Sequence, residues 1–164
     1  MKYQISDGFP YYIELAGDED FVQLFRAKAY KDTLASVTEE KSTFRYADGK
    51  WSIKQLIGHI TDHERIMTYR TMRFSRRDAT PLPGYEQDLM VENGRFDDQS
   101  FSQLMNDLEQ VRNATLSFIA SLSSEQLSLT GKAWIYELTV EEYLKATVGH
   151  ELHHLKVIKE KYLN

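Results

Sequence analysis

The sequence contains no cysteine among its 164 residues. This absence excludes disulfides, thiolate zinc sites, iron–sulfur clusters and a cysteine nucleophile. Any metal that the chain binds must therefore be held by histidine, carboxylate or water.

An excess of positive charge and long apolar runs are also missing. The chain has 20 lysines and arginines against 25 acidic residues, whereas nucleic-acid binding needs a concentrated basic face. We interpret the one basic cluster, residues 69–77, as the solvated face and end of a helix, with an anion site as the less favoured alternative. No apolar run reaches membrane-spanning length, and residues 1–15 lack the features of a signal peptide. We therefore expect a cytoplasmic protein that binds neither nucleic acid nor membrane.

The length, with 41% hydrophobic and 27% charged residues, predicts a single domain over residues 1–164. Helical periodicity predicts four long helices and a short helical piece. The long helices cover about 18–37, 52–77, 98–122 and 139 to near the end, and the short piece covers 123–127. Two of the long helices begin with a capping box, formed by Ser52 with Gln55 and by Thr139 with Glu142.

The connections between these helices are informative. The stretch ATPLPGYEQD (79–88) contains two prolines and a glycine, which predict an ordered crossing loop and not another helix. The stretch KAWIYEL (132–138) can be extended, although no alternating strand pattern of convincing length is present. Four helices in one domain predict an all-α four-helix bundle, and the long 75–98 connection predicts a crossover.

Histidines are concentrated near the C terminus, in the stretch HELHH (150–154). On a helix His150 and His154 lie one turn apart at one edge of the buried stripe, so both imidazoles can reach a single metal ion. His153 points away from the core and is predicted to be exposed, or at most to support a ligand. Glu151 faces inward, where a carboxylate needs a partner. It can act as a base, bond to a histidine, or pair with an arginine.

The second predicted helix offers another pair at the same spacing, His59 and His63. Either residue can supply a third metal ligand. Periodicity places His63 closer to the buried centre, but this geometry alone does not decide between the two.

The pattern H-E-x-x-H is also the helical zinc signature of metalloproteases, in which the glutamate activates a water. Known versions take a further ligand downstream, whereas the ten residues after His154 contain no His, Asp or Cys. No edge strand is predicted that would hold a peptide. A di-iron bundle would need a second Glu-x-x-His motif, and none accompanies His59 or His63. We therefore disfavour both classes.

Two stretches resemble the DinB-like (YfiT-like) family of metal-dependent four-helix-bundle proteins. The first, residues 50–88, holds a Trp-Ser opening, a Gly-His step at 58–59 and a Pro-Leu-Pro-Gly loop. The second, residues 139–158, holds the His-x-x-x-His of 150–154. The order and spacing of these motifs extend the resemblance over essentially the whole chain.

The resemblance implies a crossover bundle with one divalent metal bound by three histidines. The family's ligand at the Gly-His step maps to His59, and the other two map to His150 and His154. His63 is then a reserve ligand or a pocket residue. Imidazole ligands suit zinc, nickel or another late divalent ion, and not magnesium or calcium.

Some proteins that resemble this chain are S-transferases that use bacillithiol or similar low-molecular-weight thiols. This chemistry suits three neutral histidines, because the metal keeps open positions and deprotonates a bound thiol. Because the chain has no cysteine, that thiol must come from a separate small molecule. The alternatives are a metal-dependent hydrolase that uses a metal-bound water and a non-enzymatic stress or sensor protein. We expect a small-molecule partner and treat a homodimer as one possible assembly.

The proline-containing loop should fold over one end of the bundle near the metal. Its prolines restrict the backbone and Gly84 permits a tight turn. The loop would therefore present Tyr85, Glu86 and Gln87 at a fixed place.

Overall fold

The computed structural model describes residues 1–78 and 80–163, and within them it contains nine helices, one β-hairpin and two short 3₁₀ turns. The helices are α1 (Phe9–Ala16), α2 (Phe21–Ala27), α3 (Ala29–Leu34), α4 (Glu39–Ser42), α5 (Ile53–Ser75), α6 (Gln87–Asn93), α7 (Phe101–Ala120), α8 (Ser124–Ser128) and α9 (Val140–Lys161). The strands are β1 (Thr130–Ala133) and β2 (Tyr136–Thr139), and the 3₁₀ turns are Ile5–Asp7 and Phe96–Asp98. Ala79 and Asn164, which the sequence predictions include, lie outside the described residues.

The predicted four-helix bundle is confirmed. Helix α5 packs against α7 and α9, and the α2–α3 segment packs on the opposite side against the same two helices. Lys54 bonds the carbonyl of Gln99, and further along Thr68 meets Thr115. The residue numbers on both sides of these contacts rise in the same direction, so α5 and α7 run parallel. The intervening residues, 76–100, must therefore return along the bundle, which is the predicted crossover.

Capping boxes mark the beginnings of the long helices. The predicted boxes at Ser52 and Thr139 are both present, with each hydroxyl accepting a backbone N–H bond three residues later. A third box begins α7 at Ser100, within a few residues of the predicted start. Local sequence therefore sets where these helices begin, because each box satisfies two amides that the helix leaves unpaired.

The first predicted helix, 18–37, is wrong as a continuous element. Lys28 adopts a left-handed conformation with φ 48° and divides the region into α2 and α3. A further helix that the sequence analysis did not predict, α1, precedes them and packs along α9. A glycine on α9 permits this close approach, since a Cβ at Gly149 would overlap the backbone of Tyr12.

One further segment differs from the sequence predictions, and a second, predicted as able to be extended, is extended. The crossing stretch was expected to contain no helix, but α6 begins at Gln87 and buries Val91. The 132–138 stretch is part of a tight hairpin whose turn residues, Trp134 and Ile135, are exposed. Its strand pattern was weak because each strand has four residues and the turn is apolar. Leu82 of the crossing loop bonds along β1, so that loop and hairpin form one unit.

A buried charge network joins the four sides of the bundle. Arg112 on α7 is completely buried and donates hydrogen bonds to Glu64 on α5 at 2.8 Å and to Glu151 on α9. Its third contact is the carbonyl oxygen of Phe25 on α2 at 3.1 Å. Burial opposes the charge on Arg112, but the two carboxylates raise the pKa of its guanidinium above the ordinary value. The central cation is therefore permanent.

Replacing Arg112 with methionine should lower the free energy of unfolding by about 3–5 kcal/mol, because Glu64 and Glu151 would lose the cation that balances them in the core. Chemical denaturation measures this loss. Arg65→Met is the matched control, since its exposed pair with Asp107 is worth less than about 1 kcal/mol. A loss at Arg112 no larger than the loss at Arg65 would contradict the proposed central role.

Candidate metal centre

Three histidines from two helices converge in the bundle. His59 Nε2 of α5 lies 3.0 Å from His150 Nε2 of α9, and His154 Nε2 lies 3.1 Å from the same atom. His59 and His150 are only 3% and 4% exposed, and His154 is partly buried. The potential ligand atoms of the three side chains all lie within 4.8 Å of one another.

This arrangement fits a late divalent metal. Tetrahedral zinc bonds of 2.0–2.1 Å to nitrogen place the nitrogens about 3.3 Å apart, close to the separations from His150. A neutral imidazole has one N–H and one lone pair, so His150 Nε2 cannot make good hydrogen bonds to both neighbours. Burial lowers the pKa of His59 to about 4 and the pKa values of His150 and His154 well below 6.5. The three imidazoles are therefore neutral, as metal ligands must be.

His63 lies beside this cluster and does not join it. Its ring stacks on His150 with centroids 3.8 Å apart, and its Nδ1 lies 2.7 Å from Tyr85 Oη. Its Nε2 is buried with no hydrogen-bond partner among the described residues. The helical wheel ranked His63 above His59 because burial alone does not distinguish a ligand from its neighbour. The structure places His59 in the cluster and His63 next to it.

Gly58 lets the crossover connection pack closely beside His59. A Cβ at this position would overlap the ring of Phe96, which belongs to that connection. Trp51 covers the imidazole of His59 with ring centroids 4.9 Å apart. The ring is thus enclosed by residues from outside α5.

The other two residues of the HELHH stretch have different partners. Of the three roles open to Glu151, the structure shows pairing with Arg112, directed away from the histidine cluster. His153 was expected to be exposed, but α1 covers part of it, and its Nδ1 lies 3.1 Å from Tyr11 Oη. Because Glu151 does not face the cluster, the geometry gives no support to the metalloprotease class.

A cleft of about 410 Å³ opens beside the cluster. His150 and His63 form its inner end. The remaining lining residues come from α1 and the residue before it, α5, the crossing segment and the hairpin: Gly8, Phe9, Tyr12, Arg70, Gly84, Tyr85, Glu86, Gln87, Asp88, Trp134 and Tyr136. The loop therefore lies where the sequence analysis expected it. Burial raises the pKa of Tyr12 and of Tyr85 to about 12, so both phenols keep their protons at neutral pH.

Several cleft residues were missed at the level of sequence. Phe9 and Tyr12 lie on α1, whose only local signal is a proline in its first turn. Trp134 and Tyr136 lie on the hairpin, whose strands are too short for a periodic pattern. Arg70 belongs to the basic cluster interpreted as a solvated face, and that interpretation is wrong for this residue, which is only 5% exposed.

A second cavity of about 400 Å³ lies on the other side of the cluster, where His153 and His154 reach its wall. Asp88 borders both cavities. The cluster is therefore accessible from more than one direction.

Acidification from about pH 6.5 to about pH 4 should destabilise the metal-free protein. The unfolded chain takes up a proton on His59 near pH 6.5, whereas the folded chain does so only near pH 4, so unfolding binds protons in this window. The loss from His59 alone is roughly 3 kcal/mol. Urea unfolding in chelator at several pH values measures it.

His59→Leu should make this pH dependence shallower by the share of His59, while His150 and His154, whose pKa values are also lowered, keep the rest. His153→Leu is the matched control and should keep most of the dependence. An identical pH dependence in wild type and His59→Leu would contradict the assignment of a neutral, buried His59.

Comparison with known proteins adds independent information. The family model of the DinB superfamily matches residues 26–158. A curated protein of Oceanobacillus iheyensis, named "Putative metal-dependent hydrolase OB0413", is 27% identical over 133 residues, which cover 78% of this chain and 74% of that protein.

A solved structure shows the same fold. YfiT from Bacillus subtilis, described as a probable metal-dependent hydrolase with an unusual four-helix bundle topology, matches with a TM-score of 0.71 and 17% identity. The match covers 98% of this chain and 89% of that one. With a family match over most of its length, the chain belongs to the DinB superfamily.

Proposed function

We propose that this protein is a metal-dependent enzyme that activates a low-molecular-weight thiol and joins the whole thiol, through its sulfur, to an electrophile. The observation that carries the proposal is the convergence of His59, His150 and His154 beside a cleft large enough for a small molecule. Zinc and nickel are the metals that this donor set fits best.

His59, His150 and His154 would hold the metal as neutral ligands. When bound, the metal would lower the pKa of a thiol and so supply a thiolate at neutral pH. In the reaction a sulfur–carbon bond forms and the bond from that carbon to its leaving group breaks. The thiol proton passes to the leaving group or to solvent.

His63 and Tyr85 would orient the reactants. Since Tyr85 keeps its proton, we assign it as the donor to His63 Nδ1 across the 2.7 Å contact. The remaining proton of neutral His63 is then on Nε2, the atom without a partner. This N–H can donate to an electrophile or to a leaving group beside the cluster.

The main competing function is that of a metal-dependent hydrolase, which the names of the two relatives favour. In that case His63 would position the attacking water, because Glu151 is bound to Arg112. With Glu151 paired to Arg112, neither reaction has a carboxylate base at the cluster. A purely structural metal does not explain the adjoining cleft.

Removing a ligand should remove the metal. His59→Ala and His154→Ala are expected to lose tight zinc binding, because two imidazoles are too few for a stable site. His63→Ala and His153→Ala should keep nearly full zinc content, measured by elemental analysis after dialysis. Full occupancy in His59→Ala together with loss in His63→Ala would show that the ligand assignment is wrong.

The reaction itself can be tested by incubating the zinc- and nickel-loaded protein with small thiols and model alkyl or aryl electrophiles. A conjugate whose formation depends on metal supports thiol transfer. Ester or amide hydrolysis that proceeds equally without thiol would instead support the hydrolase. Tyr85→Phe should lower turnover roughly tenfold, the equivalent of one hydrogen bond, with unchanged metal content. Loss of metal alone in that variant would contradict the orienting role.

A further inference from the structure

Arg70 is a buried cation without an acidic partner. Its side chain is only 5% exposed, and no described carboxylate pairs with it. Its guanidinium donates to the carbonyl oxygen of Pro83 at 2.6 Å and lies 3.6 Å from the sulfur of Met67. An arginine stays charged in proteins, and burying a charge without compensation is costly.

Other arginines of this chain are balanced by carboxylates. Arg112 contacts two glutamates in the core. Arg73 pairs with Asp78 at 2.6 Å and Arg77 pairs with Glu125 at 2.5 Å, although both lie nearer the surface. Arg70 is the only buried arginine of residues 69–77, and it is not paired with any described carboxylate.

The position of Arg70 links it to the histidine cluster. It lies on α5 seven residues after His63 and lines the same cleft. At 1.5 Å per residue the two Cα atoms are separated by about 10 Å along the helix. The cleft therefore has histidines at one end and a free positive charge further along its wall.

The remaining groups of the cleft do not neutralise this charge. Glu86 and Asp88 are exposed at the rim, and neither is bonded to Arg70. His63 is neutral. The other walls are largely aromatic, with side chains from Phe9, Tyr12, Tyr85, Trp134 and Tyr136. A cleft of this kind suits an organic molecule that carries one anionic group.

We propose that Arg70 binds the anionic end of the substrate, a carboxylate or phosphate group held in the same cleft as His63 and His150. Both groups match the planar fork of a guanidinium, which offers five N–H donors. Only two of those donors have an acceptor among the described residues. The link to the reacting atom rests on the proposed function, whereas the anion site itself does not.

A purely structural role does not explain why the buried residue at position 70 carries a charge. Its bond to Pro83 holds the crossing loop, and its guanidinium lies 5.6 Å from the ring of Tyr85. A neutral donor would hold a carbonyl equally well without the cost of a buried charge. The retained charge is explained by an anion that binds in the cleft.

Calorimetric titration of the zinc-loaded protein with octanoate, octyl phosphate and octanol tests the proposal. These probes share one chain and differ in the head group. At least one anionic probe should bind about tenfold or more tightly than octanol, because a charge-assisted bond is stronger than a neutral one. The tighter of the two anions identifies the preferred group. Octanol that binds as tightly as both anions would overturn the proposal.

Two variants separate Arg70 from other cations. Arg70→Met should abolish the preference for the anion, and Arg70→Lys should keep part of it as a point charge. Arg76→Met, an exposed change at the end of α5, should leave it intact. If Arg70→Met does not fold, comparing the anion preference of Arg70→Lys with that of the wild type still tests the role of Arg70. A preference that survives in Arg70→Met would place the anion elsewhere and overturn the proposal.

Repeating the titrations after chelation separates this site from the metal. The anion preference should persist without zinc, because Arg70 and not the metal binds the head group. A preference that disappears on chelation would show that the anion coordinates zinc, and would overturn the proposal. Anion binding that persists in a protein that proves inactive with thiols would uphold the anion site and refute only the proposed reaction.

Discussion

The ion network of Arg112 is the constraint on which the rest of the site depends. Arg112 reaches α5 through Glu64, α9 through Glu151 and α2 through the Phe25 carbonyl. Since breaking such a buried network is strongly unfavourable, it fixes the rotation of two helices about their axes. In both, a histidine directly precedes the bound glutamate. With Glu64 and Glu151 turned to the core, the preceding histidines must point about 100° away, toward the cleft.

This arrangement keeps the charged side chains and the neutral histidines in different parts of the bundle. Carboxylates are collected around one guanidinium, whereas the imidazoles of His59, His150 and His154 are grouped where burial keeps them neutral. Neutral imidazole nitrogens that converge on one point are suited to bind a metal cation. A glutamate within an H-E-x-x-H pattern therefore serves packing here, and the histidines on either side of it serve the site.

The bundle alone does not make a substrate cleft. Three elements outside the four long helices close it: α1, the crossing segment that carries Tyr85, and the hairpin that carries Trp134. Within the described residues no helix combines the length and the apolar character needed to cross a bilayer.

By itself the sequence determined the three longest helices, the crossover and the residues able to bind a metal. Capping boxes at Ser52 and Thr139 and helical spacing are local properties, so they can be read without a structure. The choice of His59 over His63 came from family resemblance, because both lie near the buried stripe. Only tertiary structure decided that Glu151 meets Arg112, that α1 covers His153, and that Arg70 is buried. Each of these depends on contacts between residues distant in sequence, which no local pattern encodes.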